Sequence, residues 1–244
     1  MKSKPKSMYL FTSFIYSSMI LSCYIGETRL KNVIKDMPVF KDEEVEFEMK
    51  AFQLDPYAGV HATSDTQTRF AKKYGISMEE AGDTIEHISQ LGRDEGIDFK
   101  YATTLFTNTM DAHRLTKFAM EKGDKELTDK LVERLYAAYF TDNKELADKD
   151  LLLSIAVDCG FDAGEVKAVL DSDKYHDEVV LDEREAARYG IHAVPCFIIG
   201  DYALQGAQPA KYMKSALLKA MEKESSKVDE SQGMTCGPDG CRIG

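Results

Sequence analysis

The residues of this chain best able to do chemistry are its five cysteines, Cys23, Cys159, Cys196, Cys236 and Cys241. A thiolate is a nucleophile and a metal ligand, and two thiols close together form a reversible redox pair. Five cysteines at these wide, uneven spacings do not make the framework of a disulfide-stapled secreted domain. The last two stand apart, in Cys236-Gly-Pro-Asp-Gly-Cys241. Proline presets φ and Asp-Gly favours a tight reversal, so this segment turns back on itself and brings two cysteines within disulfide reach. A ring that small removes little entropy from the unfolded chain, which weakens a purely structural role. Three roles stay open for Cys236 and Cys241: a redox-active dithiol, a local clip and a metal site. The metal site is short of ligands, because no histidine neighbours the pair.

Cys23 ends a different kind of segment. Lys2, Lys4 and Lys6 precede an apolar-rich stretch from Met8 to Leu21, closed by Ser22-Cys23. One reading is an export signal, with Ile20-Leu21-Ser22-Cys23 close to a lipoprotein cleavage box. On that alternative residues 1–22 are a signal peptide and the product is an exported lipoprotein. The other reading is a first β-strand, Met8 to Tyr16, that enters a site loop at Cys23. The strand is preferred, because cleavage before Cys23 would remove the first strand of the fold that the rest of the chain predicts. Cys159 and Cys196 read as small buried hydrophobes. A sharper alternative makes Cys196 the thiol partner of Cys23. The five histidines do not cluster, and no Ser/His/Asp set, P-loop or dinucleotide glycine motif occurs.

The elements that must position these thiols follow from periodicity. Glu27 to Lys35 predicts a helix with Leu30, Val33 and Ile34 on one face, stopped by Met37-Pro38. Val45 to Phe52 alternates as a strand. From Thr63 to Tyr175 the pattern is helical: Ser77 to Glu80 is a capping box, and Leu127 to Phe140 is strongly amphipathic. Asp182 to Tyr189 predicts one more helix, ended by Gly190. The run Val194-Pro195-Cys196-Phe197-Ile198-Ile199 follows. A proline there removes a ladder donor, which fits a cis-proline at a tight turn. Gly200-Asp201 turns the chain into a second short strand, Tyr202 to Leu204, and Pro209 opens a final helix. The polar, Gly-containing stretch from Glu224 predicts a flexible tail.

A βαβ half and a ββα half thus flank a helical block. The cis-proline segment with Gly206-Ala-Gln-Pro209 resembles the DsbA family of the thioredoxin superfamily, in its FrnE-like branch. That branch is related to the 2-hydroxychromene-2-carboxylate isomerases. Cys23-Tyr-Ile-Gly26, Phe52-Gln-Leu-Asp-Pro56 and Asn108-Thr-Met-Asp-Ala-His-Arg-Leu115 resemble the family's other segments, in the family's order. The resemblance implies an α/β, thioredoxin-like fold with a large all-helical insertion. Residues 1–60 would form its first part, 61–175 the helical insertion, 176–223 the second part and 224–244 the tail.

The resemblance also implies a site. The family motif reads Cys-Pro-aromatic-Cys-Tyr-Ile-Gly, whereas this chain has Ile20-Leu21-Ser22-Cys23-Tyr24-Ile25-Gly26. Only the second cysteine is present, and the isomerase branch's serine is missing as well. The expected catalytic residues are therefore Cys23 and an auxiliary pair, Cys236 and Cys241. Val194, Pro195, Asn108 and His113 are the expected substrate-binding residues. The expected activity is thiol-disulfide exchange or isomerisation at a degenerate site. The alternatives are an inactive thioredoxin-fold peptide binder and a glutathione-dependent isomerase of small aromatic compounds. Expected partners are protein thiols and disulfides or glutathione, the latter as a co-substrate rather than a resident cofactor. No cofactor or metal is expected. A net charge of -11 argues against nucleic acid and anionic membranes as main partners. No segment after the N-terminus is apolar and long enough to span a bilayer. The expected location is cytoplasmic, and the oligomeric state is open, with a dimer among the options.

Overall fold

The computed structural model describes residues 6–12, 21–40, 45–53, 55–232, 236–237 and 240–241. The first strand, β1 (Lys6–Thr12), lies inside a four-stranded sheet. It pairs in parallel with β2 (Val45–Ala51) and antiparallel with β3 (Cys196–Ile199). A hairpin then adds β4 (Tyr202–Gln205) at the far edge. Between β1 and β2 runs α1 (Leu21–Asp36), and α9 (Ala210–Gln232) follows β4. This is the βαβ and ββα pattern of a thioredoxin-like fold.

The alternation of β3 sorts the layers. Phe197 and Ile199 face α1 and α9, in a core with Leu30, Val33, Met213 and Leu217. Cys196 and Ile198 face the other side, against Ala186 and Ile191. Ala186 belongs to α8 (His176–Arg188), which packs against β2.

The helical insertion comprises α2 (Thr66–Tyr74), α3 (Met78–Asp94), α4 (Met110–Lys122), α5 (Lys125–Phe140), α6 (Lys149–Cys159) and α7 (Ala163–Leu170). Their ends carry the expected signals. Ser77 and Glu80 form a reciprocal capping box at α3. Asp65, Asp124, Asp148 and Asp162 accept bonds from first-turn N–H groups of their helices. The insertion core, with Leu115, Leu131, Leu135 and Tyr136, is continuous with Cys23, Ile25, Met49 and Val194 of the thioredoxin part.

Four boundaries differ from the sequence expectation. α8 begins at His176 rather than Asp182. β1 ends at Thr12, and the remainder of the expected strand lies outside the described residues. α1 begins at Leu21 rather than Glu27, so Cys23 sits in a helical first turn and not in a loop. Gly26, which precedes the expected helix, lies inside α1. The cost of a mid-helix glycine, about 1 kcal/mol, is offset by the close approach described below. The tail is corrected too: α9 continues to Gln232, because no Gly or Pro intervenes before Gly233.

Candidate functional site at the carboxyl end of the sheet

The sheet register brings the site's parts to one end. Thr12 of β1 pairs with Ala51 of β2, and Phe11 pairs with Cys196. The ends of β1 and β2 and the start of β3 are therefore neighbours. The peptide bond Val194-Pro195, immediately before β3, is cis. Val194 is buried in the same core as Cys23, and each is 1% exposed. Gly26 makes the approach of α1 to this turn possible. A Cβ there would stand 2.9 Å from Phe197 Cζ and 3.2 Å from Pro195 Cγ. The family-like Cys-Tyr-Ile-Gly is thus a packing motif.

A second joint holds the Gly206 to Pro209 loop. The Gly206 N–H donates to the Pro195 carbonyl at 2.7 Å, and Gly206 adopts φ +77°. Arg29 Nη1 donates to the carbonyls of Ala207 and Gln208 at 2.9 and 3.0 Å, while its Nε donates to Glu95 at 2.9 Å. One guanidinium therefore joins α1, the loop before α9 and the residue that ends α3. The sequence reading passed over Arg29 and Glu95. They are 66 residues apart, and no local pattern marks such a pair.

Around Cys23, α1 meets α5 in an aromatic and ionic seam. Tyr24 stacks on Tyr136, with ring centroids 4.7 Å apart. Glu27, one helical turn beyond Cys23, is buried and bonds Lys31 Nζ at 2.8 Å. Its Oε2 has no hydrogen-bond partner. Burial pushes the Glu27 carboxyl above its ordinary range, against the opposing pull of Lys31. Tyr24 is also raised, first by burial and then by Glu133 and Glu27.

Cys196 lies on the opposite face of the sheet from Phe197, which is the residue that meets α1. That alternation separates its thiol from the Cys23 cluster, and burial pushes the Cys196 thiol up. Cys159, at the end of α6, is buried in the insertion core and is likewise raised by burial. Both fit the reading as core residues. Ile20 lies outside the described residues.

The other expected site residues fall on α4 and the turn before it. Asn108 Oδ1 accepts from the Met110 N–H at 2.9 Å, and its Nδ2 donates to the Pro56 carbonyl at 3.1 Å. Its own N–H donates to the Gly59 carbonyl at 2.8 Å. Asn108 therefore ties the start of α4 to the loop after β2. His113 is buried in α4, where desolvation and then Lys117 lower its pKa to about 3, so its ring is neutral. Asp111 pairs with Arg114 three residues on, and Arg114 also donates to the carbonyls of Val169, Ser172 and Lys174, at and after the end of α7.

Behind the sheet, Asp182 of α8 is a buried acceptor. It takes the Ala51 N–H at 2.6 Å and pairs with Lys117, with Lys50 at 3.7 Å. These groups line an open cleft of about 570 Å³ with Arg184, Glu185 and Arg188. Among the described residues, no group of three His, Cys, Asp or Glu side chains is placed to hold a metal. Nor is any described helix long and apolar enough to cross a membrane.

The C-terminal cysteines lie on a separate two-stranded sheet. β5 (Cys236–Gly237) pairs antiparallel with β6 (Gly240–Cys241), and Cys236 is the register partner of Cys241. Directly opposed residues of an antiparallel pair have Cα atoms roughly 4.5–5.5 Å apart, inside the range a disulfide bridges.

Comparison with known proteins agrees with this architecture. Over 225 residues the chain is 22% identical to the uncharacterized protein YwbO of Bacillus subtilis, covering 86% of this chain and 97% of that one. The structure of a probable DsbA oxidoreductase from Streptomyces coelicolor superposes with a TM-score of 0.80 at 29% identity, covering 98% of this chain and 99% of the other. A 2-hydroxychromene-2-carboxylate isomerase shares the fold, with a TM-score of 0.62 at 12% identity over 90% of this chain and 98% of its own. Residues 22–218 match the DSBA-like thioredoxin domain. The chain belongs to that family.

Proposed function

We propose that this protein is a FrnE-type thiol-disulfide reductase or isomerase whose working dithiol is Cys236 and Cys241, assisted by Cys23 at the degenerate main site. The observation that carries this reading is the register pairing of Cys236 with Cys241 on one hairpin. It is supported by family membership and by the likeness to a probable DsbA oxidoreductase. It is further supported by the sequence, which has a single cysteine where the family motif has two.

The exchange balances as follows. The thiolate of one C-terminal cysteine attacks a substrate disulfide, forms a mixed disulfide and expels one substrate thiolate, which takes a proton from water. The second cysteine, as its thiolate, attacks the mixed disulfide. The other substrate thiol is released, and the Cys236–Cys241 disulfide forms. Two electrons have moved from the dithiol to the substrate. Two molecules of glutathione return the pair to thiols and leave as glutathione disulfide. In an isomerisation the first cysteine is instead displaced by another substrate thiol, with no net oxidation. Cys23 lies in the same buried core as Val194, and the backbone before Pro195 suits an extended peptide. Such a reductase fits a cytoplasmic setting.

The test is thiol counting by alkylation and mass spectrometry, joined to insulin reduction with glutathione as the reductant. The expected result is a reducible Cys236–Cys241 bond and turnover abolished by Cys236→Ser. Five thiols that form no disulfide under oxidant would overturn the reading in favour of a peptide binder without redox chemistry. Turnover of small aromatic substrates, with no insulin reduction, would favour the isomerase alternative.

A further inference from the structure

The cleft behind the sheet carries positive charge that the chain itself does not neutralise. Its floor is balanced. Asp182 accepts the Ala51 N–H at 2.6 Å, pairs with Lys117 and lies 3.7 Å from Lys50. Lys50 also pairs with Glu48 and, at 3.2 Å, with Glu185. Lys117 donates in addition to the Met49 carbonyl at 3.4 Å. The carboxylates of the floor are thus committed to two lysines and a backbone N–H. The rim is different. Arg184 and Arg188 of α8 are exposed, and among the described residues neither has a hydrogen-bond or ion-pair partner. Against these two cations the rim sets a single carboxylate, Glu178. The cleft is therefore net positive on a chain of net charge -11.

Spacing and shape point to the ligand. Arg184 and Arg188 stand one helical turn apart, which puts their Cβ atoms about 5–6 Å from each other on one face. Each guanidinium is a planar fork that bonds an oxyanion through two parallel N–H groups. Two forks side by side suit an anion with more than two acceptor oxygens and more than one charge. A phosphate monoester has three such oxygens and a charge of about -1.5 to -2 near neutral pH. A carboxylate has two oxygens and a single charge. Leu181, on the same helix, lines the cleft and is 59% exposed. It offers apolar contact to the body of an ester, which inorganic phosphate lacks. The cleft, at about 570 Å³, falls in the range of about 300–1,000 Å³ that takes a small molecule. None of Cys23, Val194, Pro195, Asn108 or His113 lines it.

We infer that the cleft between β2, α4 and α8 binds a small phosphate monoester, with Arg184 and Arg188 on the phosphate and Leu181 against the ester's apolar body. The floor contacts hold α8 against its neighbours. Asp182 ties it to Ala51 and Lys117, and Glu183 accepts the Gln53 N–H at 3.0 Å. The two arginines are thus presented from a fixed helix, and binding orders little beyond their own side chains. The site stands apart from the oxidoreductase reading and does not depend on it.

The experiment is isothermal titration calorimetry of the full-length protein with phenyl phosphate, at neutral pH and low salt. Saturable binding is expected, weakened at least about tenfold by Arg184→Gln/Arg188→Gln. The thermal melt of that variant without ligand is expected to match wild type, because both side chains are exposed. Benzoate is expected to bind at least about tenfold more weakly than phenyl phosphate, since it presents one charge to two forks. Leu181→Ser is expected to weaken phenyl phosphate severalfold and to leave inorganic phosphate unaltered. No saturable binding of phenyl phosphate, or equal binding by wild type and the double arginine variant, overturns the inference. Benzoate bound as tightly as phenyl phosphate overturns it as well.

Discussion

The two places where thiols gather differ in what surrounds them. At the sheet end, Cys23 is sealed among Val194, Met49 and the insertion core, and the nearest structural features are packing devices. Gly26 admits Pro195 and Phe197, and Arg29 clamps the loop before α9. At the other place, Cys236 and Cys241 oppose each other on two strands of two residues each, in a sheet separate from the main one. The first place has the family's framework with one cysteine. The second has two cysteines opposed on a pair of two-residue strands. A helix N-terminus lowers a thiol pKa only for a residue in its first turn, and burial opposes the charge that results. Cys23, in the first turn of α1, is buried at 1% exposure. The comparison shows that the packed framework of the fold and the opposed cysteine pair lie in different sheets of one chain.

The largest effect that would break this contrast is at the C-terminal pair. Cys236→Ser is expected to abolish insulin reduction, while Cys23→Ser lowers it severalfold. The reverse order would return the chemistry to the sheet end. Ile20→Cys sharpens the contrast, because it gives the sequence a Cys-x-x-Cys that ends at Cys23. It is expected to give activity that persists in a Cys236→Ser background, read as insulin reduction in the double variant. No gain there would mean that the enclosure of Cys23, and not its missing partner, silences the main site.

Smaller effects test the framework. Gly26→Ala forces a methyl group against Phe197 and Pro195 and is expected to cost about 1–3 kcal/mol in denaturant unfolding. An unaltered midpoint would show that the cis-proline turn yields freely. His113 supplies a pH test. Its folded pKa, about 3, lies below the ordinary 6.5, so the folded state disfavours the added proton. Its contribution is fully present above pH 6.5 and is lost as pH falls towards 3. His113→Gln is expected to flatten the loss of melting temperature between those values. An unchanged slope would assign acid sensitivity elsewhere.

Much of this architecture is local and therefore legible in the chain. Period-2 and period-3.6 patterns marked β2, β3 and most helices of the insertion, and Ser77 with Glu80 marked the start of α3. The order of family-like segments around Pro195 and Gly206 marked the fold, and Cys236 to Cys241 marked a turn. Those features rest on backbone preference within a few residues. Other features needed the folded molecule. The need for a glycine at position 26 shows only once Pro195, far along the chain, is brought against it. Cys196 follows Pro195 in sequence, yet strand alternation turns its thiol to the face away from α1. Asn108 reads as a substrate contact, and its sequence gives no sign that its amide also holds a loop some fifty residues earlier. The amino-acid sequence by itself determined the elements, the missing first cysteine and the C-terminal pair. Only the tertiary structure decided which thiols share a face, which charges are buried and which stand at the rim of a cleft. Contacts between distant segments depend on how packed layers meet, and no local pattern encodes that.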